Sequence, residues 1–251
     1  MEAWELAVAF AGSFVAGFLG SLVGLVLGSL RLPAVLLASG STAAAGGTNI
    51  AVSAVAALTG GLTHARAGRV SWRIVAWMTP PSVLGAFAGG YFAHVVPGRL
   101  LLAAIAVVLA WNGLDLLLAL RGAPESRRPR LAAAVSGGLI GLLGGAVGLI
   151  LGTLRMPALL RSVGLPAHVA VGTNLVVGFF LGTAGFAAHL VRCEVEWGVL
   201  AVGLAGAVPG AWLGARWTGR LDERMLRRLI GIALVAVALA IAVTAAVGSE
   251  S

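Results

Sequence analysis

Eight apolar stretches, at 6–27, 47–63, 74–96, 100–120, 131–151, 169–191, 197–215 and 229–247, take up most of this 251-residue chain. Most of them approach or exceed the roughly 20 residues that an α-helix needs to cross a bilayer. Charged residues make up only 10% of the chain and hydrophobic ones 59%, where a water-soluble domain carries about 25% charge. No stretch alternates polar and apolar residues as a lumen-lining strand would, so the spans are expected to be helices and not a barrel. The fold class expected is an all-α polytopic membrane protein. Glu2 and Glu5 stand where a cleaved signal peptide has a basic region, so the first apolar stretch is expected to remain in the mature protein.

The net charge of +8 would suit nucleic acid, but its distribution argues against that partner. The basic residues are all Arg, and most lie in short loops between apolar stretches, where charge sets membrane topology. A single cysteine, Cys193, excludes an internal disulfide and any multi-cysteine metal or cluster site.

A ten-residue phrase occurs twice, as GLVLGSLRLP at 24–33 and GLILGTLRMP at 148–157. Residues 24–37 align with 148–161 at an offset of 124, which then becomes 125. The longer offset pairs Thr48-Asn49 with Thr173-Asn174, His64 with His189, Trp72 with Trp197, Gly85 with Gly210, Gly89 with Gly214 and Arg99 with Arg224. An ordered series of this kind indicates duplication: repeat 1 over 1–120, a polar linker at 121–130, and repeat 2 over 131–251. Secondary transporters are commonly built so, with the substrate at the repeat interface near the midplane.

Loop charge separates two arrangements of these repeats. If each crosses four times, the Arg residues divide eight against six and set no orientation. If the opening segment of each turns back inside the membrane at the repeated phrase, they divide twelve against two, a strong positive-inside bias. The expected arrangement is therefore two inverted repeats of about four segments, with broken or re-entrant helices at 24–33 and 148–157.

The repeated phrase also holds the leading site candidates. Gly28 and Gly152 permit a backbone break, and Pro33 and Pro157 suit the first turn of a new helix. Such a helix start offers free N–H groups and a positive dipole end to an anion. Ser29 and Thr153 add hydroxyl donors, and Arg31 and Arg155 add forked, permanently charged guanidinium groups. An arginine at the bilayer centre costs roughly 2.5–3.5 kcal/mol on the mildest scale; one that snorkels to an interface does not. A second matched element, GGTNI at 46–50 and VGTNL at 171–175, is expected to open a helix in each repeat. Capping would account for Thr48 and Thr173, whereas amides at membrane depth, Asn49 and Asn174, call for a bonded partner or a ligand. His64 and His189 are expected at the membrane interface, and Trp72 and Trp197 as interface anchors.

Of the nine acidic residues, only Asp115 falls within an apolar stretch, six residues before Arg121. A cation or metal permease would keep carboxylates inside the bundle, so the cargo is expected to be an anion, with no metal and no cofactor. GxSxG, HExxH and an intramembrane aspartate pair are all missing from the sequence, which sets an intramembrane enzyme last. An anion channel could use the same arginines.

The glycine-rich stretches ending in Pro33 and Pro157, the GTN positions, the H-x7-W spacing of His64–Trp72 and His189–Trp197, and VPGAWLGARWTGRLDERMLRRLIGIAL resemble the TauE/SafE sulfite exporter family of membrane permeases, over essentially the whole chain. The resemblance implies a multi-pass protein of a bacterial or archaeal plasma membrane that carries sulfur oxyanions or organosulfonates such as sulfite or sulfoacetate. The family commonly has a small or apolar residue near Arg31 and Arg155, so this pair is a departure. The expected function is an exporting secondary transporter with alternating access around a central site. Arg31, Arg155 and the two helix starts would hold the anion, and Asn49, Asn174, Thr48 and Thr173 would complete its shell. Lipid and the small anion are the expected partners, with a homo-oligomer open. Export of a monoanion down an inside-negative potential gains roughly 2.3 kcal/mol per 100 mV, so no coupling ion is expected.

Overall fold

The computed structural model describes residues 3–39, 41–91, 98–118, 128–147, 152–191, 193 and 195–247. Residues 148–151 of the second phrase, linker residues 121–127, His94 and Arg192 lie outside them. Among the described residues the regular structure is helical throughout. Its helices are α1 (Ala3–Val23), α2 (Gly28–Ala38), α3 (Thr42–Arg66), α4 (Trp72–Tyr91), α5 (Gly98–Leu118), α6 (Pro129–Val147), α7 (Gly152–Pro157), α8 (Ala167–Val191), α9 (Trp197–Thr218) and α10 (Glu223–Val247), with a π-turn at Ala158–Ser162 after α7. Five are long and apolar enough to cross a membrane: α1, α3 from Ala43, α8, α9 and α10 as far as Val243. Shorter apolar runs occupy Ile105–Leu118 and Pro129–Gly144.

The helices α2 and α7 are additional to the eight apolar stretches. α1 stops at Val23, and Gly24 takes φ 71°, a left-handed conformation that a side chain would resist. Four residues on, α2 begins at Gly28 and runs for 11 residues, roughly 16 Å at 1.5 Å per residue and about half a bilayer. A break after α1 thus matches expectation, but its hinge is Gly24 and not Gly28. The prolines are displaced accordingly. Pro33 is the sixth residue of α2 and Pro157 the last of α7, because each helix starts four to five residues earlier than a first-turn proline would require. Pro157 has no N–H to continue the α ladder, and the chain widens there into the π-turn, closed by Val163 N to Ala158 O at 2.9 Å.

The GTN elements open no helix. α3 starts at Thr42, capped by the Ser41 hydroxyl accepting from Ala44 N at 3.1 Å, and α8 starts at Ala167. Thr48, Asn49, Thr173 and Asn174 all lie within helices, so Thr48 and Thr173 are not N-caps. With the start of α8 held by the Glu223 carboxylate accepting from Ala167 N at 2.8 Å, a cap at Thr173 has nothing to do.

Contacts divide the chain into two compact units. The first comprises Met1–Val70 and Val171–Arg220; the second comprises Ser71–Ala170 and Leu221–Ser251. Each draws helices from both halves of the sequence. In the first unit α1 packs along α9 and α3. Its closest approach is at Gly214, where an added Cβ would collide with the Phe18 carbonyl, so glycine is required if the two backbones are to touch. In the second unit α4 packs along α6, and α5 along α10.

Candidate functional site

In the first unit the chain break creates an immediate problem. Backbone groups released from a helix inside a membrane find no water and must be bonded by protein. Asn174 Nδ2, from α8, donates to the Gly24 carbonyl at 2.7 Å. Asn49 Nδ2, from α3, donates to the Gly28 carbonyl at 3.1 Å. The last carbonyls of α1 are met as well. Thr218 Oγ1 donates to Leu22 O at 2.9 Å, and His64 Nε2 lies 3.2 Å from Ser21 O. His64 is fully buried, and the end of α1 supplies an acceptor that holds the ring inside the protein. Near the same end, in the loop after α3, Arg69 Nη1 donates to Ala215 O at 3.4 Å, and partial burial lowers its pKa from the ordinary arginine value.

Arg31 lies on the second turn of α2 and is only 2% exposed, so it does not snorkel to an interface. Its Nε donates to Asn49 Oδ1 at 2.9 Å, and Nη2 donates to Asn49 O at 2.8 Å and to Ser53 Oγ at 2.6 Å. Asn49 and Ser53 stand four residues apart on one face of α3, and the Ser53 hydroxyl donates back to Asn49 O at 2.8 Å. The planar fork of the guanidinium thus grips one helix edge. Every acceptor is neutral, and among the described residues no carboxylate pairs with Arg31. A guanidinium has five N–H groups, and the two on Nη1 have no acceptor among the described residues. Arg31, Gly28, Ser53, Ser21 and Leu175 help to line a cavity of about 20 Å³, room for one water. An oxyanion would require this tip to open.

The expected residues of this tip therefore converge in part. Gly28, Arg31 and Asn49 meet directly, and Asn174 bonds to the same break at Gly24. Thr48 is buried, but its hydroxyl accepts from Glu196 N at 2.9 Å, at the entry to α9. Pro33 is exposed, and the Ser29 side chain lies outside the described residues. Ser53 was missed by the sequence reading. Its position four residues after Asn49 is the available signal, and it has no match in the second copy, where residue 178 is Gly.

In the second unit Gly152, Thr153, Arg155 and Pro157 are all buried, Arg155 at 1% exposure. Helix α7 carries them against α5 and α6. One turn later, Arg161 Nη2 pairs with Asp115 Oδ2 of α5 at 2.6 Å. In the sequence the basic residue nearest to Asp115 is Arg121, six positions on. Arg161 also borders a cavity of about 290 Å³ beside Asn112, Leu154 and Pro157.

Comparison with known proteins supplies the family. The description "Sulfite exporter TauE/SafE" matches residues 9–241. A "Probable membrane transporter protein" of Xylella fastidiosa is 30% identical over 241 residues, covering 88% of this chain and 91% of its own length. A protein of the same name from Haemophilus influenzae is 26% identical over 235 residues, covering 90% of each chain. "Probable membrane transporter protein ORF9" of a Sinorhizobium species is 28% identical over 239 residues, covering 93% of this chain and 91% of its own. With five helices of spanning length and apolarity and a family match along nearly its whole length, this chain is a multi-pass membrane protein and belongs to the TauE/SafE sulfite exporter family.

Proposed function

We propose that the protein is a secondary transporter that exports a small anion, either sulfite or an organosulfonate such as sulfoacetate, by alternating access. The observation that carries this reading is the buried Arg31 guanidinium, bonded among the described residues only to the neutral acceptors Asn49 and Ser53. A buried charge without a counter-charge is costly, and an anion at the α2 tip would supply one. The first turn of α2 has no side-chain cap, so its N–H groups point to the same ligand class. Asn49 and Asn174 hold the broken backbone that presents Arg31. Arg155, Thr153 and the start of α7 are the corresponding candidates in the second unit. The family description and the relatives' names support transport as the activity and sulfite as one cargo.

The test is flux of sulfite and of sulfoacetate into proteoliposomes. Hydrogen bonds to charged groups are worth about 1.5–3 kcal/mol, so Arg31→Gln should slow flux by roughly 10- to 100-fold while the protein remains monodisperse. Arg31→Lys keeps the charge but loses the fork and should fall between the two. Wild-type flux in a doubly substituted Arg31→Gln, Arg155→Gln protein would remove both tips from the mechanism.

A further inference from the structure

The cavity of about 20 Å³ at the first break lies wholly within the first unit, and the polar groups of the residues around it are unevenly spent. The acceptors are taken. Gly20 O accepts from Leu25 N at 2.8 Å and Leu27 O from Leu30 N at 3.2 Å. Gly28 O accepts from Asn49 Nδ2 at 3.1 Å, and Ser21 O from Thr218 Oγ1 at 3.4 Å, with His64 Nε2 3.2 Å away. The donors are not taken. The two N–H groups of Arg31 Nη1 and the Ser21 hydroxyl have no acceptor among the described residues, although both residues line the cavity and are only 2% exposed. Gly28, which also lines it, opens a helix whose first turn has no side-chain cap. No carboxylate is among the lining residues described, and Leu25, Leu27 and Leu175 make the wall apolar. A water brings donors of its own to acceptors that are already used. Unspent donors around a buried positive charge call instead for a species that only accepts and is itself negative. The space suits a monatomic anion close to a water in size and not an oxyanion.

We propose that the closed tip binds one chloride ion, held by Arg31 Nη1 and the Ser21 hydroxyl at the start of α2, as a resting counter-ion that an anionic cargo must displace. The inference rests on the anion-transport reading and adds regulation of its site by an anion that is not the cargo. An apolar wall lowers the local dielectric and strengthens the attraction between chloride and guanidinium, which offsets the loss of hydration. Chloride thus neutralises Arg31 without a carboxylate in the fold. Cargo and chloride draw on the same N–H groups and exclude each other. Chloride therefore raises the cargo concentration needed for half-maximal flux and leaves the maximal rate unchanged.

The first measurement uses no cargo. Purified full-length protein is kept in sodium gluconate, whose anion is too large for the cavity, and chloride replaces gluconate at constant ionic strength. The melting temperature should rise and saturate, since a ligand that binds only the folded state stabilises it. Arg31→Gln should weaken chloride binding roughly 10- to 100-fold. Ser21→Ala keeps the guanidinium and should weaken it about two- to tenfold, while Ser136→Ala should match wild type. In proteoliposomes, chloride should raise the apparent KM for sulfite and leave kcat unchanged. If chloride stabilises no more than gluconate does, or stabilises Arg31→Gln as well as wild type, the inference is overturned. Chloride that lowers kcat without changing KM would place the ion away from Arg31 and overturn it as well. Sulfite flux measured in gluconate alone decides the transport reading separately, because no chloride is present there.

Discussion

Arg31 and Arg155 stand at the same place in two near-identical phrases and are almost equally buried, at 2% and 1%, yet their surroundings differ. The Arg31 tip is closed around neutral acceptors, and its cavity of about 20 Å³ holds a water at most. In the second unit a further arginine, Arg161, follows six residues later, paired to a carboxylate and bordering about 290 Å³ of space. None of the residues that make the difference is matched at the sequence offset. Arg161 corresponds to Leu37, Asp115 to Ala240, and Ser53 to Gly178. A duplicated phrase therefore places a guanidinium twice, but partners found in one copy alone decide what surrounds each of them.

The largest expected effect breaks the comparison on the second-unit side. Asp115→Leu leaves Arg161 without its counter-ion, and removing one partner of a buried pair costs about 3–5 kcal/mol. The double substitution Asp115→Leu, Arg161→Met replaces the pair by apolar groups of similar size and should recover most of that loss. Thermal unfolding in detergent measures both. Equal melting of the single and double variants would show that the pair is not electrostatically closed. A smaller loss is expected at the first break. Asn174→Leu strips the Gly24 carbonyl of its 2.7 Å donor and should cost about 1–3 kcal/mol in the same assay. An unchanged melting temperature would mean that another donor reaches Gly24.

Much of this was legible in the sequence, and the reasons for the rest are physical. Apolar length picked out all five helices of spanning length and apolarity among the described residues, because a bilayer sets a minimum length, but it also marked 74–96, 100–120 and 131–151, which are not among the five. The glycine-rich phrase marked a broken helix, since left-handed backbone favours glycine. The helix starts were misplaced: a proline two residues after Arg31 suggested a first turn, but Gly24 had already ended α1. His64 lies beside a loop in the sequence, which gives no sign that it is buried. Its burial depends on Ser21, 43 residues away in α1, and hydrophobicity does not encode such a pairing. Asp115 and Arg161, 46 positions apart on different helices, were separated for the same reason. Searching for matched positions also hid Ser53, whose importance lies in being unmatched.

The smallest effect sharpens the comparison by isolating one hydroxyl. Ser53 Oγ accepts from Arg31 at 2.6 Å and donates to Asn49 O, so Ser53→Ala removes a link between the guanidinium and α3. A typical hydrogen bond contributes about 0.5–1.5 kcal/mol net, which predicts a slight loss of stability and a two- to tenfold fall in sulfite flux. Ser136 of α6 is the control. Among the described residues its hydroxyl bonds only back along its own helix, to Ala132 O at 2.6 Å and Ala133 O at 3.3 Å, and such back-bonding adds nothing to a helix. Ser136→Ala should leave both stability and flux within error of wild type. If the two alanines behave alike, Ser53 is a helix-satisfying serine like Ser136, and Arg31 is held by Asn49 alone. If only Ser53→Ala slows flux, the neutral cradle that distinguishes the first tip from the second is part of how the protein handles its anion.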